Sequence, residues 1–320
     1  MYIVTGGAGF IGSVLVKKLN DRGINDIIIV DNIGTSLKWK NLLGKTYKDY
    51  IPKENFLDRV RRGTFPQVKA IIHMGACSAT TEEDFDYLYN NNYLYSVELA
   101  KWSMREKIRF IYASSAATYG SGANGYVDSQ DIELRPLNRY GYSKYIFDQW
   151  IKKENLDNSC VGLKFFNVYG PNEYHKGSMA SLAYKAFSQI KEYGSLKLFK
   201  SHKVPYKDGE QLRDFVYIKD CIDVMLWFLD NPQHNGIFNV GTGKARTWND
   251  LAAAIFKAMN LDYKVEYIDM PMHLRSQYQY FTEASMDKLT KMGFSQGFRS
   301  LEEGIRDYYE NYLLQENPYL

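Results

Sequence analysis

A chain of 320 residues with 45% hydrophobic residues and a net charge of +3 has the material for one large or two modest domains with a buried core. Its cations are interspersed with acids, so nothing directs it to nucleic acid or a membrane surface, and no apolar run reaches the length of a membrane span. Cys77, Cys160 and Cys221 are far apart and unpatterned, which argues against a disulfide framework or a metal site and fits reduced thiols in a cytoplasmic protein.

Tyr2–Thr5 reads as an apolar strand, so the chain opens on a core element and leaves no room for a secretory signal. The strand runs into Gly6-Gly7-Ala8-Gly9-Phe10-Ile11-Gly12, and a helix is expected over Ser13–Asp21. Glycines in such a turn allow a tight bend, close approach of phosphate to the backbone, and close packing of helix on strand. The free N–H groups and the positive end of the helix then hold a pyrophosphate. A second strand, Ile27–Asp31, ends on an acid, which completes the setting that a dinucleotide fingerprint requires.

Further strands are expected at Lys69–His73, Arg109–Ser114 and Val161–Phe165, with a helix at Asn91–Arg105. This alternation predicts an α/β fold: a Rossmann-type doubly wound parallel sheet with ligands at the carboxyl ends of its strands. Past Pro171 the alternation loosens. Helices are expected at Ser178–Tyr193, Asp220–Leu229, Thr247–Met259 and Leu301–Tyr312, and strands at Arg213–Ile218 and Gly236–Val240. The expected division is a nucleotide domain over 1–170, with 213–244 returning to it. A smaller mixed α/β substrate domain takes 171–212 and 245–320. The turn Gly241-Thr242-Gly243 lacks the spacing of a second phosphate loop.

Tyr140 and Lys144 stand four apart in a helix running to about Lys153, so they share one face. A phenol ionises near pH 10, too high for a base at neutral pH. An adjacent ammonium or a positive nicotinamide ring favours the phenolate, and the pair becomes a general acid/base for a hydroxyl undergoing oxidation. Tyr193 and Lys197 share that spacing, but Gly194 separates them. The Ser114-Ser115 pair, at the end of an upstream strand, offers a serine that can hydrogen-bond the same reacting oxygen. Glycine turn, strand-end serine and Tyr-x-x-x-Lys in that order are far more specific together than singly.

With these motifs, and with Gly75–Ser78, Phe166–Pro171, Arg213–Tyr217 and Phe238–Gly243, the chain resembles the extended short-chain dehydrogenases/reductases that act on nucleotide sugars. The run His175-Lys176-Gly177-Ser178-Met179-Ala180-Ser181 narrows the resemblance to the ADP-L-glycero-D-manno-heptose 6-epimerases. The resemblance implies catalytic roles for Ser115, Tyr140 and Lys144, with Lys176 as a second acid/base. A ketone at C6 must receive hydride on its other face, and one fixed acid cannot easily serve both geometries. Cofactor contacts are implied for Gly6, Gly9, Phe10, Ile11, Gly12, Asp31, Asn32, Lys38, Lys53, Gly75, Ala76, Cys77, Ser78, Asn91, Tyr140, Lys144, Val168 and Lys176. Substrate contacts are implied for Ser115, Asn167, Ser178, Lys185, Phe199, Lys200, Ser201, His202, Arg213 and Tyr278. Arg213 has the clearest physical reason, because a guanidinium fork suits a diphosphate.

Asp31 by itself favours NAD through a ribose 2′-hydroxyl. The resembled family uses NADP, and its 2′-phosphate lysines align with Lys38 and Lys53, so NADP is expected and NAD is the alternative. The resemblance further implies an ADP-heptose substrate, a product used in the lipopolysaccharide inner core, and a homo-oligomer, a pentamer in that family. Departures are Lys185 where some members carry histidine, Met74 in place of an acid, and a long Lys203–Gln211 segment. Ala116-Ala117 after the serine lacks the acid pair of a dehydratase. A UDP-sugar 4-epimerase gives no reason for His175–Ser181, and a non-catalytic NADP-binding sensor or scaffold has no use for a tuned phenol.

Overall fold

The computed structural model of the protein describes residues 1–128, 132–275 and 278–320. Its strands are β1 (Tyr2–Thr5), β2 (Ile27–Asp31), β3 (Asp49–Pro52), β4 (Ala70–His73), β5 (Arg109–Ser115), β6 (Cys160–Phe165), β7 (Asn167–Tyr169), β8 (Leu196–Phe199), β9 (Leu212–Tyr217), β10 (Gly236–Val240), β11 (Ala245–Thr247) and β12 (Val265–Ile268). A seven-stranded sheet runs β10-β6-β5-β4-β1-β2-β3, and every pair in it is parallel.

The apolar runs of β1, β2 and β4 are buried on both faces, as a parallel sheet under helices requires. Successive residues point to opposite sides. Val4, Ile29, Ile72 and Ile111 join Val14, Leu15 and the helix Ile218–Asp230 in one core. Ile3, Ile28, Ile71 and Phe110 join Phe56, Leu99, Trp102, Phe147 and Ile151 in the other. The fold is therefore the expected doubly wound α/β sandwich, and the order reverses between β1 and β4, where ligands of such sheets bind.

Several boundaries differ from expectation. The first helix begins at Phe10, because Gly9 supplies its N-cap. Helix Tyr95–Arg105 is preceded without a break by Phe85–Leu88 and a π-turn, Tyr89–Leu94. Ser178 lies outside the helix Leu182–Tyr193, whose cap is Ser181. Of the two late strands, β10 joins the large sheet, whereas β9 pairs with β7 and β11 in a separate three-stranded sheet. β8 and β12 form a two-stranded parallel sheet beyond it. β3 was not expected at all, since only Ile51 of its residues is fully buried and no apolar pattern marks it.

Candidate active site

The glycine turn is built for a close neighbour. Gly6 has φ +67°, and a Cβ there would lie 2.7 Å from the Gly75 nitrogen. A Cβ on Gly12 would lie 2.2 Å from the Gly6 carbonyl oxygen, so any side chain would push the helix off β1. Phe10 and Ile11 open that helix beside the turn. The β4 turn, Gly75–Ser78, is held from below. The Gly75 N–H donates to Thr5 Oγ1 (3.1 Å), Thr5 bonds His73 Nδ1 (2.6 Å), and His73 Nε2 bonds Ser96 Oγ (2.8 Å). The Ser96 hydroxyl spends its proton on the Asn92 carbonyl (2.6 Å), so His73 donates from Nε2 and accepts at Nδ1. Burial, with Lys144 and Lys53 nearby, holds this imidazole neutral, at about 3. Asn92 itself accepts from the Cys77 N–H (2.8 Å) and donates to the Cys77 carbonyl (3.0 Å) and Ser143 Oγ (3.0 Å). It thus ties the Gly75–Ser78 turn to the helix that carries Tyr140. Ala76 lines that turn and Ser78 is exposed at its end.

At the end of β2, Asp31 accepts from the Ala8 N–H (2.9 Å), the Asn32 N–H (2.7 Å) and Lys38 Nζ (2.6 Å). Lys53 hydrogen-bonds Asn91 and lies 4.9 Å over the Tyr95 ring. The Tyr95 hydroxyl is buried without a hydrogen-bond partner among the described residues, and Asp31 is its charged neighbour. A carboxylate, two lysines and an unpaired buried hydroxyl beside a glycine turn suit the ribose end of a dinucleotide. Lys38 and Lys53 therefore come to one strand-end region, although neither is free: one is paired to Asp31 and the other to Asn91.

The second constellation sits at the end of β5. Ser115 accepts from the Ala117 N–H (3.1 Å) and hydrogen-bonds Tyr140. Asn138 caps the helix Arg139–Lys153, its Oδ1 accepting from the Gly141 N–H (2.8 Å). Lys144 donates to the Ala113 carbonyl (2.9 Å) and is held down to about 8 by burial, with Asp148 opposing that effect. Burial raises the Tyr140 phenol, and the Ser115 bond pulls the other way. The expected depression of the phenol by Lys144 is absent in the chain by itself, because desolvation dominates.

Beneath Lys144 lies a network that the sequence reading missed. Asp148, one helical turn on, is 1% exposed and accepts from Tyr112 (3.0 Å), Ser114 (2.7 Å) and Lys164 (2.5 Å). Lys164 also donates to Thr118 (2.7 Å), which donates to the Ser115 carbonyl (2.8 Å). The charge pair fixes the strand end from which Ser115 projects. The signal available in the sequence was the i, i+4 spacing of Asp148 from Lys144.

Lys176 arrives from the turn Tyr174–Met179, with left-handed Gly177 at φ 54°, and stands 5.3 Å over the Phe10 ring. Burial lowers its ammonium, while Glu173 raises it. His175 accepts at Nδ1 from Asn41 Nδ2 (3.2 Å), which also reaches the Ala8 carbonyl (3.0 Å). The segment is thereby bound to the glycine turn. Ser178 is exposed, and its carbonyl accepts from Lys185 (3.2 Å).

Asn167 and Val168 lie on β7, where Asn167 Oδ1 accepts from Thr282 (3.4 Å). Arg213, on β9, is 6% exposed, and no carboxylate pairs with it among the described residues. Its guanidinium lies 4.9 Å from the Tyr278 ring and 5.6 Å from Trp248. Its Nη1 donates to the Leu212 carbonyl (2.8 Å), and a buried guanidinium without a carboxylate partner in an aromatic cage suits an anion. Phe199 ends β8 and Lys200–His202 follow it. The Ser201 N–H is held by Asp208 (2.8 Å) and the His202 N–H by the Tyr280 hydroxyl (2.9 Å), while Lys200 pairs with Asp269 (3.6 Å). Tyr278 and Tyr280 therefore link Arg213 to this segment, through rings 5.3 Å apart.

Residues 2–241 match the NAD dependent epimerase/dehydratase family. A protein of Nitratidesulfovibrio vulgaris (strain DP4) named ADP-L-glycero-D-manno-heptose-6-epimerase is 55% identical over 100% of both chains. One of the same name from Fusobacterium nucleatum is 51% identical, also over 100% of both. Among solved structures, the Helicobacter pylori protein of that name superposes with a TM-score of 0.83 at 30% identity, covering 96% of this chain and 94% of that one. A UDP-N-acetylglucosamine 4-epimerase from Methanobrevibacter ruminantium gives 0.82 at 26% identity, covering 97% and 96%.

Proposed function

The chain belongs to the NAD dependent epimerase/dehydratase family, whose members use a nicotinamide cofactor, and from that premise we propose that it inverts C6 of the heptose in ADP-D-glycero-β-D-manno-heptose. The product is the L-glycero epimer, used in the lipopolysaccharide inner core, and the reaction belongs in the cytoplasm. NADP, held by Asp31, Lys38 and Lys53, is the cofactor we favour. When bound, the dinucleotide supplies a reversible hydride acceptor. Tyr140 takes the proton of the C6 hydroxyl while Ser115 holds that oxygen. Lys144 holds a cation on the same helix face, and the positive nicotinamide ring, when bound, would supply the further charge that favours the phenolate. Lys176 serves the same oxygen after the carbonyl has turned its other face. Arg213 holds the diphosphate, and Tyr278 and the Phe199–His202 segment flank the nucleotide.

The observation that carries this reading is the position of Lys176. It enters from an element separate from the Tyr140 helix and reaches Phe10 in the dinucleotide turn. A 4-epimerase reading gives no reason for the His175–Ser181 run that carries Lys176. The test is to incubate the protein with ADP-D-glycero-manno-heptose and separate the C6 epimers, with UDP-glucose as control. Turnover of UDP-glucose alone would replace this reading with the 4-epimerase one. Mass analysis of the nucleotide released on denaturation decides between NADP and NAD.

A further inference from the structure

We propose that Glu173 is the positioning residue for Lys176: its buried carboxylate closes the turn on which that lysine stands and supplies the negative charge that faces it. The inference rests on the role given to Lys176 above. Glu173 is 0% exposed. Its Oε1 accepts from the Gly170 N–H (3.2 Å), the Ser181 hydroxyl (2.7 Å) and the Tyr308 hydroxyl (3.3 Å). Its Oε2 accepts from the Ser181 N–H (2.6 Å). Gly170 precedes the Lys176 segment and Ser181 follows it, so one carboxylate ties both ends. Its own carbonyl accepts from the Lys176 N–H (3.0 Å), which sets where the lysine leaves the turn.

Burial raises this carboxyl, and the donors of Ser181 and Gly170 together with the Lys176 charge pull it back toward the ionised form; no ammonium or guanidinium lies at ion-pair distance from it among the described residues. Lys176 and Lys185 face it as cations. Tyr174, Tyr184, Tyr308 and Tyr309 face it as phenols, and burial raises each of them. They are neutral at working pH. The charge of Glu173 therefore acts on Lys176 against its burial, and its geometry acts on the backbone of the same residue.

The two effects separate in two variants. Glu173→Gln removes the charge and sets an amide N–H against a backbone N–H. Glu173→Asp keeps the charge but is one methylene too short to span Gly170 and Ser181. Competitive acetylation of the intact protein across about pH 6 to 11, read by peptide mass, titrates Lys176 without any substrate. Glu173→Gln is expected to lower the Lys176 titration by about one pH unit, and Glu173→Asp to leave it in place. Both are expected to lose about tenfold or more in turnover while keeping nucleotide affinity. A Lys176 titration unmoved in Glu173→Gln, or full turnover in Glu173→Asp, overturns the proposal. Because the titration needs no substrate, it stands whichever sugar nucleotide the wild type turns over.

Discussion

Lys144→Met should make the nucleotide-free protein more stable while it removes activity. The ammonium is fully buried and is held from its ordinary value of 10.5 down to about 8. At roughly 1.4 kcal/mol per pH unit, the charged side chain costs about 3 kcal/mol. Its bond to the Ala113 carbonyl (2.9 Å) is lost in the variant, which gives back about 1 kcal/mol. The net gain is about 2 kcal/mol, or roughly 3 °C in Tm for a chain of this length. The sign follows from linkage. The folded value lies below the unfolded one, so between them the unfolded chain binds more protons and wild-type stability rises with pH. The advantage of Lys144→Met is full below pH 8, is gone by about pH 10, and turns into a deficit of about 1 kcal/mol above that, when only the lost hydrogen bond remains. Thermal or urea unfolding of both proteins at intervals across that range measures it. A variant less stable at pH 7, or an advantage that ignores pH, refutes the reasoning.

Tyr140→Phe should cut turnover by about a thousandfold or more, with nucleotide still bound in the purified protein; unchanged epimerisation would remove the phenol from the mechanism. Asp148→Asn leaves Lys164 buried beside an uncharged partner and should cost about 3 kcal/mol in urea unfolding; a loss under about 1 kcal/mol would mean the pair does not hold the strand end. Arg213→Lys keeps the charge but loses the fork, so KM for the nucleotide sugar should rise roughly 10- to 100-fold with a smaller change in kcat. Lys38→Ala frees Asp31 and should lower NADP affinity about tenfold or more in a fluorescence titration while NAD is spared; an equal loss for both nucleotides would take Lys38 off the 2′-phosphate.

The parallel sheet was legible because its strands are long apolar runs with helical segments between them, and β1, β2 and β10 fall where the sequence puts them. What escaped were elements whose stability comes from their neighbours. β3 has one fully buried residue, and β7 and β11 have three residues each. The early start of helix Phe10–Asp21 escaped for a different reason. A glycine N-cap carries no side-chain signature, and Gly9 looks like one more glycine of the turn.

The site divides along the same line. Candidates whose place is local to a motif, such as Asp31 at the end of β2, a serine at the end of β5, and Tyr140 with Lys144 on one helix face, stand out from their spacing. Residues that hold them do not, because each acts across a long stretch of chain. Asn92 is one of a run of three asparagines, and only the π-turn aims it at Cys77 and Ser143. Asn41 reads as a surface residue until its amide meets Ala8 and His175. Glu173 follows Asn172 in what looks like a polar loop, yet it is as buried as the core. A buried polar side chain must find its partners or lose several kcal/mol, and those partners lie on other elements. The same demand fixes the reactive groups in place, so the part of the site that is hardest to read from sequence is the part that sets its geometry.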